Sequence, residues 1–431
     1  MNEELESLSW QAEQLEDSQM RISTLFQRST ALGFYDELGD EASAETYLEI
    51  ARDQKLRMSM VFDRSAKAPS RHVTAPVHTY ASFPGQLNVG GKALLQIHKI
   101  TAVTVSATHR RRGILKASMH ADLAFAAAQG FPLAALTASE GSIYGRYGFG
   151  IASHRVRFTL KCAGGLGLQG ELPGTVQEVL AEDVAPHYRQ LAADCMQRSF
   201  GSVDPTLFDE GYMLGRWDGW ETLAKPKNLR WAVYRNESGH LEGLVCFKFK
   251  GWDSDTPTME VQKLIASSPL ARIGLLNFLG NHDLIEEVHA QGPVRDPLRL
   301  MLSNDRDYKI RSLDDELWLR VLDPVAALEA RHYEHDGSMV LKIDDELGYA
   351  SGNYEVTVRG GSATVHKVER PRESIDWVQL QVADLSRVYL GDATLADLLS
   401  VGRAKNLRVQ PLRVARNFFE TLNSPHSPHL F

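Results

Sequence analysis

Cysteine is scarce in this sequence: Cys162, Cys195 and Cys246 are widely spaced and form no Cys-x-x-Cys pair. This scarcity excludes a disulfide framework and a zinc ribbon, and it predicts reduced, partly buried thiols. The chain also lacks any apolar run long enough to span a membrane. Its N-terminus, MNEELESLSWQAEQLEDSQM, lacks the basic start and apolar stretch of a signal peptide. We therefore expect a cytoplasmic protein without a membrane partner.

An excess of positive charge is also missing, because the formal net charge is -8 at pH 7. That value argues against a nucleic-acid partner for the molecule as a whole, although an acidic surface attracts polycationic substrates. Hydrophobic residues make up 43% and charged residues 24%, which are ordinary values for a globular protein. A length of 431 residues exceeds what one core usually organises and predicts two or three domains.

A strand–helix–strand unit is the clearest pattern along the chain. Residues 98–106 read HKITAVTVS, a run of β-branched residues that predicts a strand. In the stretch ILKASMHADLAFAAAQG that follows, one apolar face predicts a helix ending at Gly130. That face consists of Leu115, Met119, Leu123 and Ala126. The apolar segment FPLAALTAS then predicts a buried strand beside the first one, which completes a β-α-β unit.

Other segments have weaker patterns. Helices are predicted in residues 1–60, as in 44–57, and a hairpin turn is predicted at 236–240. The segment TMEVQKLIASSPLARIGLLNFLGNHD again passes from strand-like to helix-like residues. From about residue 322, alternating apolar residues and Gly-rich turns predict an antiparallel sheet. The last predicted elements are helices at 396–403 and 411–422 and an extended terminal segment, NSPHSPHLF.

A basic turn, HRRRG, lies between the predicted strand and helix. Backbone N–H groups at a helix start lack partners, and together with the helix dipole they favour phosphate oxygens. Gly113 allows close backbone approach, and the arginines add positive charge. The turn is either an anion site, such as one for coenzyme A, or a solvated basic turn, and its own sequence does not decide between them.

A second unusual loop, SEGSIYGRYGFG, places glycines among Tyr144, Tyr147 and Phe149. It is either a turn capped by aromatic residues or a functional loop, since Gly and Tyr are frequent in turns without catalytic duty.

Together the strand and the basic turn resemble the GNAT superfamily of N-acetyltransferases. The resemblance implies that Val103, Thr104 and Val105 offer backbone groups to the pantetheine arm and thioester of acetyl-CoA. It also implies that a tyrosine after the second strand protonates the coenzyme A thiolate, with Tyr144 preferred and Tyr147 as runner-up. The residues expected to cradle the pyrophosphate or otherwise contact the cofactor are Arg111, Arg112, Gly113, Ile114, Leu115, Lys116, Ser139 and Glu140.

A narrower resemblance, to the Eis (enhanced intracellular survival) acetyltransferases, rests on V-x-V, HRRRG-[IL]-L and SEG-x-IYGR-[FY]-G. It extends to DDELWLRVLDPVAALEARHY and DLSRVYLGDATLADLLSVGR, and so covers most of the chain from about residue 98. The implied fold is α/β (α+β), with two tandem GNAT-like domains with mixed central sheets and a sterol-carrier-like α+β domain, assembled as a homohexamer. The expected domains are residues 1–170, 171–320 and 321–431. No second RRxxG motif occurs near residues 261–279, so the cofactor site is expected in the first domain alone.

Family members are thought to use a terminal carboxylate on an aromatic last residue as a base, which implies that role for Phe431. A terminal carboxylate has a pKa of roughly 3.5, and is therefore a weak base unless it is desolvated or acts through water. This sequence departs from the family pattern at Ala107, where a proline is common, and at Leu430, where an acidic residue could assist cation binding. His426 and His429 lack further ligand spacing, so we expect them to be solvent-exposed and assign no metal. We expect His109 to be structural or anion-binding rather than a base.

The resulting hypothesis is direct transfer of an acetyl group from acetyl-CoA to a primary amine, with Tyr144 as acid and the Phe431 carboxylate as base. The resemblance implies polycationic amines such as aminoglycosides as substrates, and lysine side chains of peptides or proteins are an alternative. A hypothesis from another class is that the C-terminal domain carries an apolar ligand.

Overall fold

A computed structural model describes the chain apart from residues 1–3, 17–18, 92, 220–222, 224, 253–254, 370–374, 409–416 and 430. The first part of the chain contains both strands and helices. The elements are β1 (Leu5–Gln11), α1 (Met20–Phe34), α2 (Glu41–Asp53), β2 (Arg57–Asp63), β3 (His78–Leu87), β4 (Leu95–Val105), α3 (Ile114–Ala128), β5 (Leu133–Leu136) and β6 (Gly150–Lys161). Short 3-10 helices include Ala107–His109 and Tyr144–Tyr147.

The middle part of the chain also contains both strands and helices. Its elements are β7 (Thr175–Val179), α4 (Ala181–Arg198), α5 (Leu207–Met213), β8 (Arg230–Arg235), β9 (Leu241–Phe249), β10 (Thr258–Ala266), α6 (Pro269–Gly280), β11 (Glu287–Pro293), α7 (Leu298–Met301) and β12 (Tyr308–Val321). The predicted hairpin is confirmed as β8–β9, and the predicted strand-to-helix passage is confirmed as β10–α6.

The last part of the chain forms a separate small sheet with short helices. Its elements are α8 (Pro324–Ala330), β13 (Gly337–Asp344), β14 (Gly352–Arg359), β15 (Ser362–Lys367), β16 (Asp376–Gln381), α9 (Val382–Val388), α10 (Leu395–Ser400) and β17 (Ala404–Asn406). Among the described residues this sheet has five strands, in the order β15-β14-β13-β16-β17. The β13–β14–β15 meander is antiparallel as predicted, whereas β16 lies parallel to β13 and was not anticipated.

Strands from the first two parts join into one continuous sheet. Within the described ranges it has twelve strands, in the order β1-β2-β3-β4-β5-β12-β6-β11-β10-β9-β8-β7. The β4–β5 and β10–β11 pairs are parallel, and each follows a run of antiparallel strands, so the two ends of the sheet mirror each other. Two tandem units of similar topology thus share a single hydrogen-bonded layer.

Two long strands at the centre join the halves. β6 follows β5 along the chain but pairs with β11 of the other half, and β12 follows β11 but pairs with β5 of the first half. β6 and β12 also pair with each other over most of their length. Side chains at the end of β12 therefore lie beside the first half, although they are distant from it in sequence. The boundaries expected near residues 170 and 320 stay predictions.

The predicted β-α-β unit is confirmed as β4–α3–β5. Helix α3 begins after Gly113 and ends before Gly130, and both glycines have left-handed φ angles, of 77° and 79°. Its buried face packs on Ile100 of β4 and Leu136 of β5. That face includes Met119, Leu123 and Ala126 of the predicted apolar stripe.

The structure corrects two other predictions. Residues 1–60 were expected to be helical, and α1 and α2 agree with that expectation. β1, however, is a strand, because its backbone pairs antiparallel with β2 along its whole length. Of the helix predicted at 411–422, residues 411–416 lie outside the described residues and 417–422 form turns and irregular backbone. All three cysteines are free and buried, as predicted.

Candidate active site

The site begins where two parallel strands separate. β4 and β5 pair from His98 to Ile100 and then diverge, while β4 continues to pair with β3 as far as Val105. Backbone groups on the unpaired side of β4 therefore face a gap. A cleft of about 1270 Å³ opens there, lined by Val103, Thr104, Val105, Ser139 and Glu140 among others.

Within this cleft the three predicted strand residues are not equivalent. The carbonyl oxygen of Thr104 lies 2.5 Å from Nδ1 of His78, and its hydroxyl lies 2.7 Å from that of Thr79. The carbonyl and hydroxyl groups of Thr104 are thus engaged toward β3. Val103 and Val105 are the strand residues whose backbone is better placed to meet a ligand in the gap.

The basic turn closes the other end of the cleft. Arg111 and Gly113 both adopt positive φ, 64° and 77°, and the start of α3 carries no side-chain cap. This conformation leaves the first helical amides available to an anion, in the geometry expected of a phosphate cradle. The residues of the turn and helix start that line the cleft are Arg111, Gly113, Ile114, Leu115 and Lys116. Arg112 is exposed and does not line it.

His109 anchors this turn from behind. Its Nε2 atom lies 2.9 Å from Oδ2 of Asp63, at the end of β2, and its Nδ1 atom lies 2.8 Å from the Thr108 hydroxyl. The hydrogen bond from His109, reinforced by Ser65, lowers the pKa of Asp63 to about 2. Both ring nitrogens are therefore occupied, so the geometry gives His109 a structural role.

Substituting Gly113 by alanine should weaken acetyl-CoA binding about tenfold, the loss of one charge-assisted hydrogen bond. Gly130→Ala is a matched control, because its φ is also left-handed and a Cβ at either glycine meets no atom within 4 Å. Each change strains the backbone by about 1–2 kcal/mol. Thermal unfolding should report similar losses for both variants, and calorimetric titration should show weaker binding for Gly113→Ala alone. Equal binding by the two variants would argue against the phosphate cradle.

Tyr144 stands between the cleft and a second cavity. It begins the 3-10 helix Tyr144–Tyr147, is 5% exposed, and packs edge-on against Phe149 and Trp318. Burial, with a smaller contribution from Glu140, raises its pKa to about 12. Tyr147 lines the cleft but not the second cavity. The position of Tyr144 therefore suits a group that acts between two ligands better than that of Tyr147 does.

A buried arginine holds the tyrosine loop in place. Nε of Arg320, on β12, donates to the carbonyl of Tyr147 at 2.8 Å, and Nη2 donates to both carboxylate oxygens of Asp345 at 2.7 Å. Gly148 passes so close that an added Cβ would lie 2.6 Å from Arg320 Nε. The C-terminal part of the chain thus supports the loop that carries Tyr144. Arg320 has no recognisable signal in the sequence, because its partners lie far away along the chain.

Removing this arginine should destabilise the protein. Arg320→Met leaves the buried Asp345 carboxylate without its cation, which typically costs about 3–5 kcal/mol. The double variant Arg320→Met/Asp345→Asn should recover much of that loss, because no unpaired charge remains. Denaturant unfolding monitored by fluorescence measures both. If the single variant loses less than about 1 kcal/mol, the support assigned to this pair is wrong.

The second cavity, of about 460 Å³, is rich in acidic groups. It lies between α1, α2 and the end of β4, and Phe34, Val103, Ser139 and Tyr144 line both it and the cleft. Its lining includes carboxyl groups and the last residue: Asp36, Asp315, Glu316 and Phe431. Sequence reasoning missed these three acids, although Asp315 and Glu316 lie in the DDEL run quoted for the family resemblance.

The chain terminus enters this cavity. Phe431 is 6% exposed, with its ring centroid 6.1 Å from that of Phe83 and 5.3 Å from the ammonium nitrogen of the buried Lys99. The preceding residues are held by hydrogen bonds, from His426 N to Phe200 O at 3.0 Å and from Ser427 N to Glu316 Oε2 at 3.1 Å. The last described residues are therefore packed into the protein.

The expectation that both tail histidines face solvent is wrong for His429. It is 2% exposed and lines the acidic cavity, with Nδ1 2.8 Å from Oδ2 of Asp209. His426 is partly covered, and its Nδ1 lies 2.9 Å from Oε1 of Glu316. His429 is buried because the tail packs into the protein, which the local sequence does not reveal.

Leu430, named as a departure from the family pattern, lies outside the described residues. Across the described ranges, no cluster of three or more His, Cys, Asp or Glu side chains could hold a metal.

Comparison with known proteins identifies the domains. Residues 76–152 and 213–321 each match a family model described as an acetyltransferase (GNAT) domain, and residues 324–428 match a sterol carrier protein domain. An uncharacterized N-acetyltransferase of Streptomyces avermitilis is 34% identical over 369 residues, 82% of this chain and 86% of that protein. N-acetyltransferase Eis of Mycobacterium tuberculosis is 29% identical over 345 residues, 76% and 79% of the two chains. The crystal structure of Eis1 from Mycobacterium abscessus has a TM-score of 0.77 at 23% identity, covering 99% of this chain and 100% of that one.

Two acetyltransferase domains followed by a sterol carrier domain define a three-domain GNAT N-acetyltransferase, an enzyme class that uses acetyl-CoA. The predicted fold class is therefore confirmed. The chain belongs to the Eis-like N-acetyltransferases, as the motifs indicated. In the part of the chain that the structure describes, no helix has the length and apolar character needed to cross a membrane.

Proposed function

We propose that this enzyme transfers the acetyl group of acetyl-CoA directly to a primary amine of a polycationic small molecule, such as an aminoglycoside. The main support is that Tyr144 lines both the cleft with the basic turn and the acidic cavity. A thioester in the cleft and an amine in the cavity would meet at this residue. We expect the enzyme to act in the cytoplasm as a homohexamer, and both points remain predictions.

The cleft suits coenzyme A along its whole length. Arg111, Gly113 and the first amides of α3 would hold the pyrophosphate, and Lys116 adds positive charge beside it. Val103 and Val105 would align the pantetheine arm through their backbone, and Ser139 and Glu140, which also line the cleft, would contact the cofactor. Arg112, which is exposed outside the cleft, adds only to the surrounding positive potential.

The cavity suits a substrate with several ammonium groups. Its volume lies within the range of about 300–1000 Å³ that is common for small-molecule sites. Asp36 lines it from the turn after α1, Asp315 and Glu316 line it from β12, and Phe431 is the last residue of the chain. Acids on separate walls can each meet one ammonium group of a polyamine, whereas a monoamine would use one of them. Lysine side chains of peptides remain the alternative within the same chemistry.

The reaction requires that the amine lose two protons. An alkylammonium with a pKa of roughly 10 is about 0.1% neutral at pH 7, and only the neutral amine attacks the thioester. The Phe431 carboxylate takes up the first proton, and Tyr144 donates a hydrogen bond and then a proton to sulfur as the C–S bond breaks. The second proton of the nitrogen replaces the one lost by Tyr144. One proton is released overall for each amide formed.

The test is release of coenzyme A thiol from acetyl-CoA with a panel of amines. We expect turnover with aminoglycosides or linear polyamines, and weaker turnover with a monoamine and with a lysine peptide. Activity on the lysine peptide alone would favour the alternative substrate. Equal rates with and without any amine would contradict acetyl transfer to amines.

Charge selection by the cavity can be tested with two neighbouring acids. Asp36→Asn should raise KM for a polyamine by up to about fivefold, because an exposed ion pair contributes up to about 1 kcal/mol. Glu37→Gln is the control, since Glu37 is exposed and does not line the cavity. The monoamine should respond less than the polyamine to Asp36→Asn. Identical KM values for both variants would exclude Asp36 from substrate binding.

The carrier hypothesis for the C-terminal domain has less support. Residues on the strands of its sheet, including Met339, Leu341 and Val356, are buried in the core and pack with one another. We therefore propose no apolar-ligand function for it.

A further inference from the structure

A buried polar cluster connects the second acetyltransferase domain with the chain terminus. The carboxylate of Asp209, on α5, contacts the ammonium of Lys263 on β10, the hydroxyl of Tyr188 on α4 at 2.8 Å, and Nδ1 of His429 at 2.8 Å. Asp209, Tyr188 and His429 are each 2% exposed or less, and Lys263 is 4% exposed. Such a cluster is costly to bury, so its arrangement calls for an explanation.

The cluster determines the state of the His429 ring. Burial opposes the ionisation of Asp209, but Lys263 and His429 more than offset it and hold the pKa of Asp209 below its usual range. Burial lowers the pKa of His429. A neutral ring beside an ionised carboxylate donates its Nδ1 proton to that carboxylate, so Nε2 carries the lone pair.

The other ring nitrogen of His429, Nε2, does not contact the Asp209 carboxylate. Among the described residues it has no hydrogen-bond partner, although it is buried. The same residue lines the acidic cavity, two positions before Phe431. A buried acceptor without a protein partner in a cavity wall is an atom that a ligand, or a water carried by one, would satisfy.

We infer that His429 and Asp209 form the proton-accepting pair of the acetyl transfer, with His429 Nε2 as the final acceptor of the amine proton. This inference rests on the proposed function. An imidazole of ordinary pKa, about 6.5, accepts a proton roughly a thousandfold more favourably than a terminal carboxylate of pKa about 3.5. Burial lowers the pKa of His429 and so narrows that difference. In this scheme the Phe431 carboxylate binds the substrate ammonium group and transfers the first proton of the amine to His429 rather than keeping that proton.

The proton balance is complete with this pair. One N–H bond of the ammonium breaks, and its proton reaches Nε2 through the carboxylate; the resulting imidazolium faces the Asp209 carboxylate. The nitrogen then bonds to the acetyl carbon, the C–S bond breaks, and sulfur takes its proton from Tyr144. The second nitrogen proton restores the phenol, and the imidazolium releases its proton to solvent. The second domain, which lacks the arginine turn, would thereby contribute to catalysis in the first.

The charged groups around His429 determine its pH response. Asp209 and Asp204 favour the imidazolium, whereas Lys263 and burial disfavour it, and the net effect is a pKa below 6.5. Above that pKa His429 is neutral and able to accept. We therefore expect kcat/KM to fall as the pH is lowered through the pKa of His429. This acidic limb adds to the pH dependence that comes from protonation of the amine substrate.

The experiment compares His429→Gln with His426→Gln. The second variant changes a histidine of the same tail that does not line the cavity. At pH 7 we expect His429→Gln to lower kcat about a hundredfold, within the range for general bases, and to abolish the acidic limb of kcat/KM. His426→Gln should keep that limb. If His429→Gln kept the acidic limb of kcat/KM at the same pH as the native enzyme, the inference would be overturned, even if kcat were reduced.

A measurement without turnover separates this inference from the proposed function. Nitrogen NMR of histidine-labelled native protein, assigned with the His429→Gln spectrum, reports the protonation of both ring nitrogens. We expect Nδ1 protonated and Nε2 unprotonated at pH 7. A protonated Nε2 at that pH would overturn the inference even if amines are acetylated. Absence of amine acetylation, with the expected NMR result, would contradict the proposed function and leave the acceptor state of His429 supported.

Discussion

Replacing Tyr144 by phenylalanine should lower kcat about a hundredfold or more while leaving the binding of acetyl-CoA almost unchanged. General acid catalysis typically contributes about 10²–10⁴ in rate, and the substitution removes the hydroxyl alone. The ring itself is buried against Phe149 and Trp318, and phenylalanine keeps those contacts, so the fold should persist. Steady-state kinetics with a responsive amine, and calorimetric titration with coenzyme A, provide the two measurements.

Tyr147→Phe is the matched control for this variant. Tyr147 lies in the same 3-10 helix and lines the cofactor cleft, but it does not line the acidic cavity. Its loss should reduce kcat no more than a few-fold. Full activity of Tyr144→Phe, or an equal loss in both variants, would show that Tyr144 is not the acid.

The raised pKa of Tyr144 limits how it works. At a pKa of about 12 the phenol stays protonated through the neutral range, so it is always able to donate. A thiol has an ordinary pKa of about 8.5, so proton transfer from this phenol to a free thiolate is uphill by roughly 5 kcal/mol. Tyr144 should therefore stabilise the developing thiolate by a hydrogen bond while a proton from the amine nitrogen replaces its own. No alkaline limb due to Tyr144 is expected below about pH 10.

The second large effect should come from moving the terminal carboxylate. Extending the chain by three residues beyond Phe431, which lines the cavity, should reduce kcat/KM for polyamines about a hundredfold or more, because a peptide bond then replaces the proposed base. Phe431 is 6% exposed, so the added residues must also displace side chains that pack around it. Thiol release with the amine panel measures the loss.

Two controls separate charge from packing. A C-terminal amide on Phe431, made by ligation, removes the charge and keeps the ring, and should lose nearly as much activity as the extension. Phe431→Leu keeps the carboxylate and loses the contact with Phe83, and should lose activity only several-fold. Native rates in the amidated protein would remove the Phe431 carboxylate from the mechanism.

Several parts of the molecule were predictable from local sequence. The β4–α3–β5 unit follows from periodicity, a glycine at each end of the helix, and a short apolar run. The turn at Arg111 and Gly113 follows from the same segment, because the groups that would hold a phosphate are consecutive in the chain. These features depend on residues within about thirty positions of each other, and so the sequence shows them directly.

Residues 1–60 were predicted to be helical, and β1 shows where local reasoning fails. β1 is a strand because β2 lies beside it, and the apolar positions of so short a segment do not distinguish the two structures well. Tail burial was misjudged for a related reason. SPHSPHLF is polar and rich in proline, which suits an exposed end. Its second histidine, His429, nevertheless contacts Asp209, which is 220 residues away in the chain.

Motifs in the sequence were sufficient to indicate the family, the basic turn and the tyrosine loop, since each lies within one short segment. The exchange of β6 and β12 between halves, the support of Tyr147 by Arg320, and the acidic cavity around Phe431 depended on the tertiary structure. They arise from pairings between residues more than a hundred positions apart, and such pairings are selected by the packing of the whole sheet rather than by any local preference. The cavity therefore exists only once β12, α1 and the chain terminus have come together.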